Sequence, residues 1–160
     1  MHEQEPANTE QTDRFSDPEV VGLSTRLLFA VPLLRSLVQA VAESDGELNF
    51  LNVSVGSGAW VGVARRSGED QLLVSTNHGG RAGEPYPPVI HEALRGHGFC
   101  FDQERQGYLR FIGFETDDGF DETARLIAGT LLHVWHSPMH DRIRVELQLS
   151  LPPVANEVPG

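Results

Sequence analysis

The sequence predicts an α+β domain in which an antiparallel sheet carries its helices mainly on one face. Three short runs with strand character follow one another through residues 48–76, separated by turns of hairpin length. The final run, residues 141–151, alternates apolar and polar side chains along its whole length. A period of two places one face of a strand in the core and the other in water. Grouped antiparallel strands with helices between the groups are typical of α+β domains.

The predicted order of elements is helix, three strands, short helix, two strands, long helix and strand (α-βββ-α-ββ-α-β). Asp17 is the expected N-cap of the first helix and Pro18 its first helical residue. Pro32 interrupts the pattern, which predicts either a kink or two helices. Beyond it the apolar residues keep a 3.6-residue period as far as Gly46, where the helix is expected to stop.

The strand and helix signals continue through the middle of the chain. The predicted strands are Leu48–Val55, Ala59–Arg65, Gln71–Thr76, Phe99–Phe101, Tyr108–Phe114 and Asp141–Leu151. Residues 77–88 are rich in glycine and proline and predict a loop. A short helix is expected from about Pro88 to Arg95, with Gly96 as its stop.

The long helix before the last strand has a clear apolar stripe. Its predicted buried residues are Phe120, Ala124, Ile127, Leu131 and Val134. Asp118 is the expected N-cap, with Asp121 in the reciprocal position three residues on. The pair Ser137–Pro138 is expected to end the helix.

The domain organisation follows from composition. The chain has 160 residues, 39% of them hydrophobic, which suits one globular core. Residues 1–16 are polar and acidic and predict a disordered tail. Residues 152–160 contain three prolines without periodicity and predict a second disordered tail. A single α+β domain is therefore expected over residues 17–151.

Charge and cysteine content restrict the function. The net charge is −11, which disfavours nucleic acid and acidic membrane surfaces as partners. The twelve basic residues are all arginine, so no lysine chemistry is available. The first residues lack the basic and then apolar pattern of a secretory signal, and no apolar run reaches the length of a membrane span. We therefore expect a cytoplasmic protein. A single cysteine excludes an internal disulfide.

Three histidines form the sequence's sharpest metal-like pattern. His133, His136 and His140 are closely spaced, as zinc ligands often are, and the first two are one helical turn apart. No acidic residue completes a known zinc motif, and a histidine near a helix C-terminus is also favoured by the helix dipole. No metal or other cofactor is predicted, and a metal-dependent enzyme built on this cluster is kept as an alternative.

Cys100 invites a second catalytic interpretation. His91 and His97 are near it in sequence, which suggests a cysteine–histidine nucleophile. Because Cys100 lies between Phe99 and Phe101 in a short predicted strand, we instead expect a small buried hydrophobe. No catalytic residue is predicted.

The uncovered face of the sheet is the predicted binding surface. If the helices cover the side that carries Val61 and Phe111, five residues share the other side: Trp60, Tyr108, Arg110, Ile112 and Arg144. Tryptophan, tyrosine and arginine carry much of the binding energy in interfaces. The alternative is that helices lie on both faces and that Trp60 and Ile112 belong to the core. A slip of one residue in strand pairing reverses every such assignment.

The element order and some local sequence resemble a known family. Gly107–Phe111 reads Gly-Tyr-Leu-Arg-Phe, precedes an acidic turn, and is followed by a helix that ends with Leu131–Trp135. Over residues 27–151 the chain resembles the type III secretion chaperone-like fold, which includes YbjN-like proteins and related peptide-binding chaperone domains. It departs from the secretion chaperones by ending on a strand, residues 141–151. The resemblance implies a non-enzymatic, acidic, often homodimeric module that holds a segment of another protein in extended form.

The sequence therefore predicts a cytoplasmic, chaperone-like module that binds a protein or peptide segment without a cofactor. Two alternatives from other classes remain open. One is the metal-dependent enzyme based on His133, His136 and His140. The other is a small-ligand sensor with its pocket between the sheet and the long helix.

Overall fold

The computed structural model describes residues 19–44, 49–66, 68–78 and 84–149. Within these ranges the strands are β1 (Glu19–Arg26), β2 (Phe50–Val55), β3 (Ala59–Arg65), β4 (Gln71–His78), β5 (Cys100–Asp102), β6 (Gly107–Gly113) and β7 (Arg142–Leu149). The helices are α1 (Ala30–Glu43), α2 (Pro88–Gly96) and α3 (Asp118–Gly129), and α3 continues into a π-helical turn, Thr130–Val134. The two predicted tails lie outside the described residues. None of the described helices is long and apolar enough to cross a membrane.

The strands form one seven-stranded antiparallel sheet in the order β1-β7-β2-β3-β4-β6-β5. The last strand, β7, lies between β1 and β2 and pairs with both. The α+β class predicted from the sequence is confirmed, as are the hairpins β2–β3, β3–β4 and β5–β6.

The predicted start of the first helix is wrong, because Glu19–Arg26 forms strand β1. Its eight residues pair with β7 from Glu19 opposite Leu149 to Arg26 opposite Arg142. This pairing gives hydrogen-bond partners to the backbone groups on one side of the segment. Residues that signal a helix cap carry no information about such a distant partner. The observed order is thus β-α-βββ-α-ββ-α-β.

Helix α1 begins only at Ala30, after a short 3₁₀ turn, Leu27–Phe29. Pro32 therefore lies in the first helical turn, where its missing N–H removes no helical hydrogen bond. The proline therefore lies at the start of one α-helix, and it neither kinks a longer helix nor separates two α-helices, as was predicted. Asp17, Pro18 and Gly46, the other predicted boundary residues, lie outside the described residues.

The long helix has the predicted apolar stripe but not the predicted cap. The five stripe residues, from Phe120 to Val134, are all buried. Asp118 is already helical, and the residue before it, Asp117, makes no side-chain capping bond because it has helical backbone angles. The helix ends with His136 in the left-handed region, at φ 56°, and the Ser137 amide donates to the Leu131 carbonyl at 2.8 Å.

One face of the sheet packs against the helices. On that face the strand side chains are almost inaccessible to solvent: Leu51, Val53, Val61, Val63, Leu72, Val74, Ile143 and Val145. They contact the buried stripes of α1 and α3, represented by Leu34, Val38, Ile127 and Leu131. The alternate residues of β2, β3 and β4 are only half-buried. The helices of the described chain thus cover one face and leave the other, which we call the open face.

Candidate functional site

The open face is organised in rungs, because residues directly opposite each other in antiparallel strands point to the same side. One rung crosses β1, β7, β2, β3 and β4 through Ser24, Arg144, Ser54, Trp60 and Asn77. The central rung holds Gly22, Glu146, Asn52, Gly62, Ser75 and Leu109. The third holds Gln148, Phe50, Ala64, Leu73 and Phe111. The third rung is mostly apolar.

A depression of about 430 Å³ lies in the middle of this face. Its floor is strand β3 at Gly62 and Ala64, and the larger side chains of Phe50, Trp60 and Leu73 surround it. A Cβ on Gly62 would lie 3.5 Å from Cζ3 of Trp60 and 3.4 Å from Oγ of Ser75. The missing side chain therefore leaves room above the strand and lets the indole of Trp60 lean over it.

Two of the five predicted binding residues lie on the open face. Trp60 borders the depression and is half-buried. Arg144 lies on the same rung, two strands away, at a separation of about 10 Å. Its guanidinium is 3.4 Å from the Glu146 carboxylate, and its side chain is 69% exposed. The two residues can therefore contact one ligand that extends across β2.

The other three predicted residues lie on the opposite, helix-covered face. Tyr108, Arg110 and Ile112 are directly opposite Thr76, Val74 and Leu72 of β4. Their predicted placement with Trp60 is therefore wrong, and the interpretation of Ile112 as a core residue is the correct one. The open face of β6 instead carries Leu109 and Phe111, and Phe111 is 40% exposed.

The reason for the reversal is that both sides of β6 are partly apolar. The sequence Tyr-Leu-Arg-Phe-Ile places an aromatic residue on each side of the strand, so alternation cannot assign its faces. The register with β4 assigns them, because it brings Tyr108 and Ile112 over the core.

Tyr108 is the centre of a buried polar and aromatic cluster. Its hydroxyl lies 2.7 Å from Nδ1 of His91 and accepts the backbone N–H of Tyr86 at 2.9 Å. The rings of Phe101 and Tyr86 lie 5.2 and 5.7 Å from its own ring, between centroids. Trp135 packs against Tyr86 and donates from Nε1 to Oγ1 of Thr76 at 2.9 Å. The cluster fastens α2 and the segment before it to the sheet, so Tyr108 is not available to a partner.

Arg110 links β6 to two helices. Its guanidinium donates to the His97 carbonyl at 2.9 Å and to the Glu122 carboxylate of α3. The side chain passes over Gly98, whose φ is +88° and whose Cβ, if present, would lie 2.9 Å from Cδ of Arg110. A glycine at position 98 therefore both adopts the positive φ of the turn and leaves the space that the Arg110 side chain occupies. These contacts give Arg110 a structural role in the fold.

The three histidines of the metal-like pattern are not brought together. Among the described residues, no three side chains of histidine, cysteine, aspartate or glutamate are arranged to hold a metal ion. His133 instead stacks on His97, with 6.3 Å between ring centroids and 7° between ring planes. Burial, followed by the charges of His133 and Arg110, lowers the pKa of His97 below its ordinary value of 6.5.

Cys100 is exposed, which corrects the expectation of a buried thiol. It lies opposite Leu109 on the open face, in the edge strand β5. Only its neighbours Phe99 and Phe101 turn towards the core, since adjacent residues of a strand point to opposite faces.

The fold and this surface define an α+β domain in which the described helices leave one face of an antiparallel sheet uncovered. No protein-family model, curated protein or solved structure matches the chain.

Proposed function

We propose that the chain is a non-enzymatic binding module that holds an extended segment of a partner protein on the open face of its sheet. The observation that carries the proposal is the depression above Gly62, bordered by Trp60, Phe50 and Leu73. Large side chains around a small-residue floor form the kind of pocket in which a partner's anchor residue is desolvated.

A peptide segment suits this surface because apolar and polar groups alternate across it. The third rung offers apolar contacts, and the central rung offers the polar side chains of Asn52 and Ser75. Strand β1 also adds an eight-residue edge that pairs only with β7 among the described strands. Main-chain pairing at such an edge is a common mode of peptide recognition. The resemblance to peptide-binding chaperone domains points to the same class of partner.

The two alternative functions receive less support. The space between the sheet and α3, where a sensor pocket was predicted, is filled by Val61, Leu72 and Ile127, each with essentially no exposed surface. His133, His136 and His140 are not grouped as metal ligands. Neither alternative therefore has a site at its predicted position.

The experiment is a selection of random peptides on the full chain, followed by affinity measurements on variants of the depression. Trp60→Ala removes the proposed anchor, and Gly62→Val fills the floor while remaining compatible with a strand. Each substitution is expected to weaken the selected peptides at least about tenfold, or about 1.4 kcal/mol. The matched control is Val89→Ala, because Val89 lies on α2 and is 83% exposed.

A second readout uses the two tryptophans. Trp135 is held in the buried cluster, so the Trp135→Phe variant leaves Trp60 as the reporter on the open face. Bound peptide should change the emission of Trp60. Peptides whose affinity and fluorescence response are indifferent to both substitutions in the depression would contradict the proposal.

A further inference from the structure

We infer that the partner segment is acidic, and that its carboxylates are held at one corner of the open face by Arg26, Arg142 and Arg144. The inference rests on the proposed function and specifies the chemistry of the partner. We call these three residues the arginine corner.

The geometry of the corner follows from the strand register. Arg26 of β1 and Arg142 of β7 are directly opposite each other, so their side chains point to the same face. Arg144 lies two residues further along β7, and its pairing with Ser54 places it on the open face. All three side chains are exposed. The structure thus places three guanidinium groups at one end of the surface that carries the depression, and the one of Arg144 is also 3.4 Å from the Glu146 carboxylate.

This concentration of charge is unfavourable in the isolated molecule. Like charges directly opposite each other in adjacent strands destabilise a sheet. Most arginines in the described part of the chain are paired with a carboxylate, among them Arg66, Arg105 and Arg125. Arg26 and Arg142, like Arg35 of α1, form no ion pair with any carboxylate in the described ranges, but only Arg26 and Arg142 lie directly opposite each other. A net charge of −11 makes this pair more unusual, since acidic residues are abundant elsewhere in the chain.

Carboxylates on an extended peptide are the chemical complement of the corner. The planar guanidinium group binds a carboxylate through two parallel hydrogen bonds. Arg142 and Arg144 are two residues apart, which spaces them by about 7 Å, the distance between alternate side chains of an extended segment. A nucleic acid fits less well, because a long polyanion would be repelled by the rest of this acidic chain.

The distance from the corner to the depression defines the order of residues in the segment. Arg144 and Trp60 lie on one rung, two strands apart, a separation of about 10 Å that three residues of extended chain can span. Arg142 and Arg144 follow one another along β7, whereas Trp60 lies across the sheet from Arg144, so the segment must turn after its acidic pair. We therefore expect two acidic side chains at alternate positions, then a bend, and a large apolar side chain about three residues beyond the nearer acidic one. The apolar residue would enter the depression while the carboxylates meet the arginines.

The test uses synthetic fluorescein-labelled peptides with this arrangement and the full chain, measured by fluorescence anisotropy. The acidic peptide carries two glutamates and a tryptophan, and its partner peptide carries glutamines in place of the glutamates. We expect the acidic peptide to bind at least tenfold more tightly at low salt and to lose this advantage at high salt. The Arg142→Glu variant should abolish the advantage, and a peptide with lysines in place of the glutamates should then bind that variant preferentially.

The matched control is Arg95→Glu, which changes the net charge equally at an exposed position of α2. It should leave the preference for the acidic peptide intact. The milder variant Arg142→Ser should raise the thermal unfolding midpoint, because it relieves the repulsion with Arg26.

Three outcomes would overturn the inference. If acidic and neutral peptides bound equally and both lost affinity with Trp60→Ala, the partner would not be acidic, although the proposed function would stand. If no peptide bound and random selection also produced no binder sensitive to Trp60, the proposed function itself would fail. If Arg142→Glu shifted the NMR signals of the acidic residues 1–18 without any peptide, the chain's own N-terminal segment would be the occupant.

Discussion

Replacing Tyr108 with phenylalanine removes one hydroxyl group from the core and preserves the ring packing. The Tyr86 N–H, which donates to that hydroxyl at 2.9 Å in a buried position, would lose this hydrogen bond. Removing the acceptor of a buried N–H group costs about 1–3 kcal/mol of folding stability. The lost bond to His91, at 2.7 Å, adds about 0.5–1.5 kcal/mol, because that ring is only partly buried and can bind water instead. We expect Tyr108→Phe to lower the free energy of unfolding by about 1.5–4.5 kcal/mol.

The assay is urea unfolding followed by tryptophan fluorescence, with the slope of the transition expected to stay the same. Peptide affinity at the open face should be unchanged in the folded variant, because Tyr108 lies on the covered face. A double-mutant cycle with His91→Ala isolates the contribution of the bond to the histidine ring. A loss of stability below about 0.5 kcal/mol would show that the hydroxyl does not hold this cluster together.

Three further predictions address the pH response, the packing of α3 and the exposed thiol. Because the pKa of His97 is lowered from 6.5, the folded state binds this proton less tightly than the unfolded state. The contribution of His97 to the free energy of unfolding should therefore be fully present above pH 6.5 and be lost as the pH falls through the lower pKa of the folded state. In urea unfolding, the midpoint of the His97→Gln variant should fall less over this pH range than that of the unmodified protein. Gly119→Ala would place a Cβ 2.2 Å from the Gly113 carbonyl oxygen. We therefore expect calorimetry to show a free energy of unfolding lower by roughly 3 kcal/mol. An unchanged thermal unfolding midpoint would refute this close approach. Cys100 should react with Ellman's reagent in the native state almost as fast as in urea, whereas protection would indicate that the thiol is buried.

The strands with a strict period of two were predictable, and β7 shows why. Ile143 and Val145 are buried while Arg142 and Arg144 are exposed, as the alternation in the sequence requires. The runs β2 to β4 follow the same rule. A single hydrophobic face admits only one orientation of each of these strands, so the covered face of the central sheet follows from the sequence.

Strand β1 was missed because its signals are not local. Asp17 and Pro18 resemble a helix start, and Glu19–Arg26 includes a glycine, which weakens both helix and strand predictions. Its identity depends on pairing with β7, which follows more than a hundred residues later. The sequence of Glu19–Arg26 contains no pattern that indicates pairing with β7.

The binding surface was predictable at Trp60 and Arg144 and not at β6. Trp60 lies in a strand whose other side carries Ala59, Val61 and Val63 before the terminal Arg65, so its alternation is informative. The residues of β6 are apolar on both sides, and their faces depend on the register with β4. The apposition of Arg26 and Arg142 likewise depends on the β1–β7 ladder, since the two residues are far apart in sequence.

Local periodicity and composition were sufficient for the α+β class, for the central strands and for a highly acidic chain that contains arginine but no lysine. Periodicity reports which side of an element avoids water, because burial depends on the side chains within a few residues of one another. Long-range pairing decided the neighbours of each strand and the face to which β6 presents Tyr108. It also brought together Arg26 and Arg142, which have no carboxylate partner in the described part of the chain. Backbone hydrogen bonds are chemically alike at every residue, so they become specific only when the whole sheet is assembled around its core.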